Sequence, residues 1–472
     1  ILIKSEKEMF DSKIYSKRRN ELKKKMGSGL ILFPGNEEPA MNYPANTYTF
    51  RQDSSFLFYF GLDMPDVFGL IDVDNNEEII FGNDFTVDDV VWMGPQKTIK
   101  QKAEFAGVKK TLSLDKLEEK LLTAIKTGRR IHFLPQYRWK IVFDLSKLLG
   151  INPESINKYS SEKLIKNVID QRSIKSKEEI AETEFALEIA YQMHTYAMRM
   201  TRPGICEREI AGAIEGIALS MGCGVSFSVI FSINGQTLHN HHHDNLIKDG
   251  DLVVNDSGAE SLLHYASDIT RTFPANGKFS NKQKEIYQIA LNAQMGAIQK
   301  IKPGIKYKDV HLHSAKVIVE GLKNLGLMKG NVDEAVAAGA HALFFPHGLG
   351  HMLGLDVHDL EGLGENFVGY DKSIERSNQF GLAYLRLAKP LQQGFLLTVE
   401  PGVYFIPELI DQWRSNKMHS QFINYDAVAK YRTFGGVRIE DNILVEKNAG
   451  KVLGRPIPKS VEEVEQFCSS II

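Results

Sequence analysis

Three cysteines in 472 residues are too few for a disulfide framework. Cys206, Cys223 and Cys468 form no CxxC pair, so a thiolate metal site is excluded as well, and a reducing, cytoplasmic setting is expected. Long apolar runs are also missing, since no segment approaches the roughly 18 residues of a membrane span. The opening segment "ILIKSEKEMFDSKIYSKRRN" holds no apolar core of signal-peptide length and begins on Ile rather than Met. Charge of one sign is absent too. The 57 Lys and Arg against 59 Asp and Glu leave a formal net charge of −2, without the basic surplus of a nucleic-acid or membrane-surface binder. Any charged function must therefore be local. What remains, 43% hydrophobic and 25% charged residues, suffices for folded cores, and the length implies two or three domains.

Residues 10–150 alternate short apolar runs with helical stretches. "GLILFPG" (29–35) and "VFGLIDVDNNEEIIFG" (67–82) read as strands, the second as a hairpin turning at Asp74-Asn75-Asn76. "SLDKLEEKLLTAIKTG" (113–128) reads as a helix with Ser113 as N-cap and Gly128 past its end. This is an α/β unit of domain size. Near 172–180 the pattern becomes a long amphipathic helix, with Ile180, Phe185, Ala186, Ile189, Met193 and Met198 near one stripe. The boundary is set just before it, giving domains 1–173 and 174–472. The second half has helices at 206–221, 281–301 and 307–326, and strands at 226–233, 251–257, 262–273, 394–400 and 435–446. Fold class is α/β in the first domain and mixed α+β in the second. Residues 359–393 and 405–434 read as long irregular insertions.

Four of those strands carry an acid that a half-buried strand would not casually keep. Asp256 follows the apolar run of "DLVVNDSG", and Asp268 sits mid-strand in "HYASDITRTF", spaced for an antiparallel neighbour. Glu400 ends "GFLLTVEPG". In "GGVRIEDNILV" Arg438 and Glu440 share one face, opposite Val437 and Ile439. Singly, each fits a solvated turn or an ion pair. If all four converge, their repulsion destabilises the fold unless cations are present, and two divalent ions would neutralise them.

"HGLGHMLGLDVHD" (347–359) adds histidines on a backbone that resists a helix, since each glycine costs up to about 1 kcal/mol in a helix interior. A carboxylate-rich shell needs only one imidazole, brought in on an extended segment where glycine allows close backbone approach. His351 is that ligand. Oxygen ligands with one nitrogen favour Mn2+, with Co2+, Fe2+ or Zn2+ as alternatives.

Together "HGLGHMLGLDVHD", "TVEPG", "GGVRIED" and "D…ASDITRTFP" resemble the proline-specific metallopeptidases, aminopeptidase P and Xaa-Pro dipeptidase (prolidase). "FRQDSSFLFYFG" (50–61) is similar to the family's amino-terminal domain, and the second half to its pita-bread catalytic domain. The resemblance implies Asp256, Asp268, His351, Glu400 and Glu440 as ligands of two metal ions, Asp268 and Glu440 bridging them. It implies His347, His358 and His239 as substrate-facing groups, with Tyr404 and Arg438 supporting the site. Arg386, in "YLRLAKPLQQG", matches an arginine that grips a dipeptide's free carboxylate in prolidases; a surface arginine beside a loop fits it equally well. The long insert after "VEPGVYFI" and "PANGKF" (274–279) are also prolidase-like.

The implied reaction is hydrolysis of the Xaa-Pro bond at peptide amino termini, leaning to a dipeptidase, with aminopeptidase P action on longer peptides as the alternative. Two divalent cations would supply an activated water. Glu400 would shuttle its proton, and His358 would donate to the oxyanion, worth roughly 2.7–4 kcal/mol in other enzymes. Partners are peptides with proline second, and further copies of the chain in a homodimer or larger assembly. The rivals are a methionine aminopeptidase or creatinase-like hydrolase on the same scaffold, and a metal-free pita-bread binding protein. The "HNHHHDN" segment (239–245) reads as a solvated loop except for His239. His132, His194, His311, His313 and His419 read as structural or exposed, His341 is left open, and Cys223 reads as a packed thiol.

Overall fold

The hairpin expected at Asp74-Asn75-Asn76 joins strands Phe68–Asp72 and Glu77–Phe81, paired antiparallel, with Asn76 taking a φ of 50°. In the computed structural model, which describes residues 9–469, this hairpin is the centre of a five-stranded sheet. Leu30–Pro34 pairs antiparallel with Phe68–Asp72 and parallel with Ile131–His132, while Lys110–Leu112 runs parallel to Glu77–Phe81. The central strands are buried along their length because both faces are covered. Leu30, Leu32, Leu70, Ile79 and Phe81 face helices Asp115–Lys126 and Trp139–Leu149. Phe33 turns the other way, its ring 4.7 Å from Tyr59 on helix Ser54–Phe60. That helix starts at Asp53, whose carboxylate accepts from Phe56 N, and stops at Gly61 in the left-handed region. Ser113, expected as the N-cap of the helix at 113–128, does not cap it with its side chain. The N-cap of Asp115–Lys126 is Leu114, and Ser113 serves only through its carbonyl, which accepts from Lys116 N.

The chain divides into two compact units. One runs to Arg172 and takes in Gly362–Phe367; the other comprises Ser173–Glu361 and the chain from Val368 onward. The second opens on helix Lys177–Met200, whose N-cap Ser176 and Glu179 form a reciprocal capping box. Its buried stripe is displaced from the expected one. Ala186, Ile189, Met193 and Met198 are buried, but Ile180 and Phe185 are only half-buried, and Glu179 and Glu182 lie inside instead. Helices Glu207–Met221, Asn281–Lys300 and Tyr307–Asn324 follow the periodicity read from the sequence.

The strands of this unit are shorter than expected. Ile230–Ser232, Leu252–Ser257 and Ile269–Pro274 form one antiparallel sheet; Leu396–Val399, Asp441–Val445 and Gly450–Val452 form another. The expected strand 435–446 is two strands, Gly436–Arg438 and Asp441–Val445, interrupted at Ile439-Glu440. Asp268 lies just ahead of its strand rather than within it. Side chains tie the sheets together: Thr272 Oγ1 donates to Arg438 O (2.9 Å), and Glu440 N donates to Thr270 O (3.0 Å). The insertion 405–434 is largely helical, with Pro407–Ser415 and Tyr425–Val428. Among the described residues no helix is long and apolar enough to cross a membrane, and the three cysteines are unpaired.

Candidate metal centre

Each acid reaches the centre from the end or the break of a strand. Asp256 lies near the end of Leu252–Ser257, opposite Thr270 in register. Asp268 is held by its own peptide group, whose N–H donates to Asn442 Oδ1 (3.1 Å) and whose carbonyl accepts from Asn442 Nδ2. Glu440 occupies the break between two strands, and its Oε2 accepts from Thr270 Oγ1 (2.8 Å). Glu400 follows Val399 directly, and its N–H donates to Leu349 O (2.8 Å).

His351 arrives on an extended segment laid along Leu396–Val399. Its N–H donates to Thr398 Oγ1 (3.1 Å), and its carbonyl accepts from Thr398 N (3.0 Å). The glycines serve this approach. A Cβ on Gly350 would stand 2.1 Å from Thr398 O, and one on Gly354 would stand 2.4 Å from Asp359 Oδ2. Asp359 is itself occupied by a buried ion pair with Lys175 at 2.6 Å.

Asp268, His351 and Glu440 offer ligand atoms that all lie within 4.8 Å of one another. His351 Nε2 stands 3.3 Å from Asp268 Oδ2 and 3.6 Å from Glu400 Oε1. Its Nδ1 lies 3.0 Å from Met352 O and so carries the proton, which leaves the Nε2 lone pair facing the acids. Asp256 Oδ1 and Glu440 Oε1 are buried with no hydrogen-bond partner among the described residues. A carboxylate oxygen so placed is costly unless a cation satisfies it. Burial, then the Asp256 charge, pushes Asp268 well above the usual carboxylate range. Burial and Asp268 do the same to Glu440. Burial pushes Glu400 up to about 7, with Asp268 adding to it and His351 opposing. Four converging acids, an imidazole of fixed tautomer and two orphaned oxygens fit divalent cations.

Beside the acids runs a chain of donors. Arg438 donates from Nη2 to Asp256 Oδ2, from Nε to Thr270 Oγ1 (3.1 Å) and from Nη1 to Tyr404 Oη (3.0 Å). Tyr404 in turn faces His347 Nε2 at 2.9 Å, and His347 Nδ1 lies 2.8 Å from Gly348 O. One proton arrangement satisfies every group: Tyr404 donates to Nε2 and Nδ1–H donates to Gly348. Burial and then the Arg438 charge draw His347 down to about 3, so it is a neutral imidazole. His358, Glu361 and Arg386 form a second trio. His358 packs on His351 with ring centroids 4.2 Å apart, its Nδ1 is 3.4 Å from Glu361 Oε2, and Arg386 Nη1 donates to that same oxygen. His239 stands exposed, within the electrostatic reach of Arg438, Asp256, His358 and Arg386.

Residues 181–447 match metallopeptidase family M24, and residues 15–132 match the aminopeptidase P N-terminal domain. This chain belongs to metallopeptidase family M24. The Xaa-Pro dipeptidase of Homo sapiens is 31% identical to it over 447 residues, spanning 92% of this chain and 88% of that protein. A probable Xaa-Pro aminopeptidase of Paracoccidioides brasiliensis (strain Pb03) is 31% identical over 474 residues, 98% and 97% of the two chains. The solved structure of Pseudomonas aeruginosa aminopeptidase PepP matches with a TM-score of 0.81 at 28% identity, covering 98% of both chains. That of E. coli aminopeptidase P with the inhibitor Pro-Leu matches at 0.80 and 28% identity, over 98% and 99%. The aminopeptidase P-type first domain and the pita-bread catalytic domain expected from the sequence are thus the architecture of this M24 metallopeptidase.

Several groups around the M24 centre escaped the sequence reading. Thr270, Thr398 and Asn442 hold ligands in place but are unremarkable strand residues in the sequence. Glu361, three residues beyond His358, was equally silent. His264 takes a φ of 66° and sits 2.6 Å from Glu260 in a buried pair. Of the remaining histidines, His132 meets Ser161 and His194 meets Ser257, both buried. His241 and His242 are exposed, while His243 reaches Phe231 O at 3.1 Å. His313 and His419 are half-buried. His311 and His341 are buried with ring centroids 6.1 Å apart, neither hydrogen-bonded among the described residues. Cys223 is half-buried against Leu262 O at 3.6 Å.

Proposed function

We propose that the chain is a dinuclear metal-dependent exopeptidase that cleaves the Xaa-Pro bond at peptide amino termini, with Xaa-Pro dipeptides as favoured substrates. The observation that carries this reading is the meeting of Asp268, Glu440, Glu400 and His351, with orphaned oxygens on Asp256 and Glu440, in a member of family M24. Asp268 and Glu440 would bridge two ions, Asp256 holding one and His351 and Glu400 the other. Mn2+ suits this oxygen-rich set with its single imidazole. Residues 1–173 form the first domain in this reading and 174–472 the catalytic one.

Bound cations supply an activated water and a polarised scissile carbonyl. The chain's own groups do the rest. Glu400 accepts a proton on its carboxylate and returns it to the leaving nitrogen. His358 donates to the oxyanion. His347 is a neutral ring whose nitrogens are already engaged, so it lines the substrate's path and, through Tyr404 and Arg438, steadies Asp256. His239 lies at the outer edge. A leaving proline nitrogen carries no N–H, so selection falls to the shape of the ring.

Arg386 is read as the receiver of a dipeptide's free carboxylate. Arg386→Ala is expected to raise KM for Xaa-Pro dipeptides at least about tenfold and leave Xaa-Pro-containing tripeptides nearly unaffected. Equal effects on both classes would shift the assignment to Xaa-Pro aminopeptidase action on longer peptides. That second reading has an observation of its own, for Arg386 is already engaged by Glu361.

A homo-oligomer is the favoured assembly. Helix Val87–Met93 buries none of its residues and exposes Val87, Val91, Trp92 and Met93, with Trp92 85% exposed. Trp92→Glu is expected to move the chain toward monomers in light scattering at micromolar concentration; an unchanged mass would remove this helix from the interface. The unpaired cysteines support a reducing cytoplasm as the setting.

A further inference from the structure

Glu361 stands where the peptidase reading requires no acid. Its Oε2 accepts from Arg386 Nη1 and lies 3.4 Å from His358 Nδ1. Its Oε1 is buried with no hydrogen-bond partner among the described residues. The chain is bent to place it there. Leu360, buried, has a φ of 70°, a region that residues with a Cβ seldom occupy, and Glu361 N donates to His358 O at 3.3 Å in the turn that follows. Held by this turn, the carboxylate meets the guanidinium at high effective concentration.

We propose that Glu361 is a built-in carboxylate competitor at Arg386, and that it thereby sets the balance between dipeptides and longer peptides. The inference rests on the reading of Arg386 as the receiver of a free peptide carboxylate. A guanidinium binds a carboxylate best through two parallel N–H bonds. Glu361 already uses Nη1, so an incoming carboxylate must displace it or share the fork beside a like charge. A longer peptide brings a neutral amide to the same place and meets no such repulsion. Glu361 therefore weakens dipeptide binding selectively.

The test is Glu361→Gln in the metal-loaded enzyme, assayed beside Arg386→Ala on an Xaa-Pro dipeptide and the matching tripeptide. Glutamine keeps the shape and one acceptor oxygen but removes the charge. The expected result is a dipeptide KM lower by about tenfold with tripeptide KM within about threefold of wild type, any change in kcat through His358 being common to both substrates. A dipeptide KM that is unchanged or raised overturns the proposal, as does an equal fall for both substrates. Failure of Arg386→Ala to act selectively on dipeptides overturns the Arg386 reading itself, a separate outcome. Wild type gives a check that needs no variant. A competitor at Arg386 predicts that Xaa-Pro and its carboxamide differ in KM by less than about tenfold. A preference above about tenfold for the free acid would overturn it.

Discussion

Glu400→Gln is expected to lower kcat for Xaa-Pro hydrolysis by roughly 10²–10⁴-fold, the range typical of losing a positioned acid–base group. The substitution keeps the volume of the side chain and one acceptor oxygen, while removing the proton acceptor. Glu400 suits the role because of where it sits. It directly follows Val399 at a strand end, with Oε1 3.6 Å from His351 Nε2, among the groups that would hold the ions and their water. Its side chain is also the most open of the acids meeting His351, which gives substrate and water a route to it. KM should stay within a few-fold, since the groups read as gripping substrate lie elsewhere. Metal content separates the two roles Glu400 is given. With Asp256, Asp268, His351 and Glu440 intact, at least one ion per chain should remain by elemental analysis. A variant that keeps two ions and loses less than tenfold in kcat would sink the proton-shuttle assignment. Loss of both ions together with activity would reduce Glu400 to a ligand.

The parts of this site legible in the sequence are those whose residue type clashes with its surroundings. An acid closing an apolar run, as in "LLTVE" or "VVND", states a chemical problem by itself. So do three glycines at 348, 350 and 354 set among histidines, and Gly350 against Thr398 is the close approach that pattern implied. What could not be read are partners brought together only by topology. Asn442 clamps Asp268 from 174 positions away, and Thr270 meets Glu440 across 170. Neither has an unusual neighbourhood in the sequence, because Thr and Asn at a strand end are ordinary. Strand limits failed for a related reason. "GGVRIEDNILV" reads as one continuous strand, but Glu440 turns to the centre and breaks it, so the ligand itself ends the pairing that its neighbours favour. Glu361 was hidden by a different cause: its direction comes from the backbone angle at Leu360, and nothing in a leucine announces a positive φ.

Removing the metal should make stability depend on pH with a definite sign. In the metal-free fold Asp268 and Glu440 are raised well above their unfolded values by burial and mutual repulsion, and Glu400 is raised to about 7. The folded state therefore holds protons that the unfolded chain has already released, and these three groups cost the stripped protein stability as pH climbs from about 4 through neutrality. Bound cations reverse the sign. The carboxylates are then held ionised in the fold, and their contribution is present above about pH 4 and lost below it. Buried neutral histidines act in the opposite direction to the raised acids: burial draws His194 to about 3 and His341 to about 4, so both favour the fold more as pH rises toward the unfolded value near 6.5. They act equally on stripped and loaded protein, so the difference in Tm between the two forms isolates the metal ligands. That difference should widen from pH 5 to pH 8. With free Mn2+ about 1,000 times Kd it should approach roughly 4 kcal/mol, or on the order of 10 °C for a unit of this size. Titrating Mn2+ into stripped protein should also release more protons at pH 6 than at pH 8.5, read by calorimetry in buffers of different ionisation enthalpy. A gap that stays constant with pH, with no proton release at pH 6, would mean the cations do not contact these carboxylates, and the dinuclear centre would have to be abandoned.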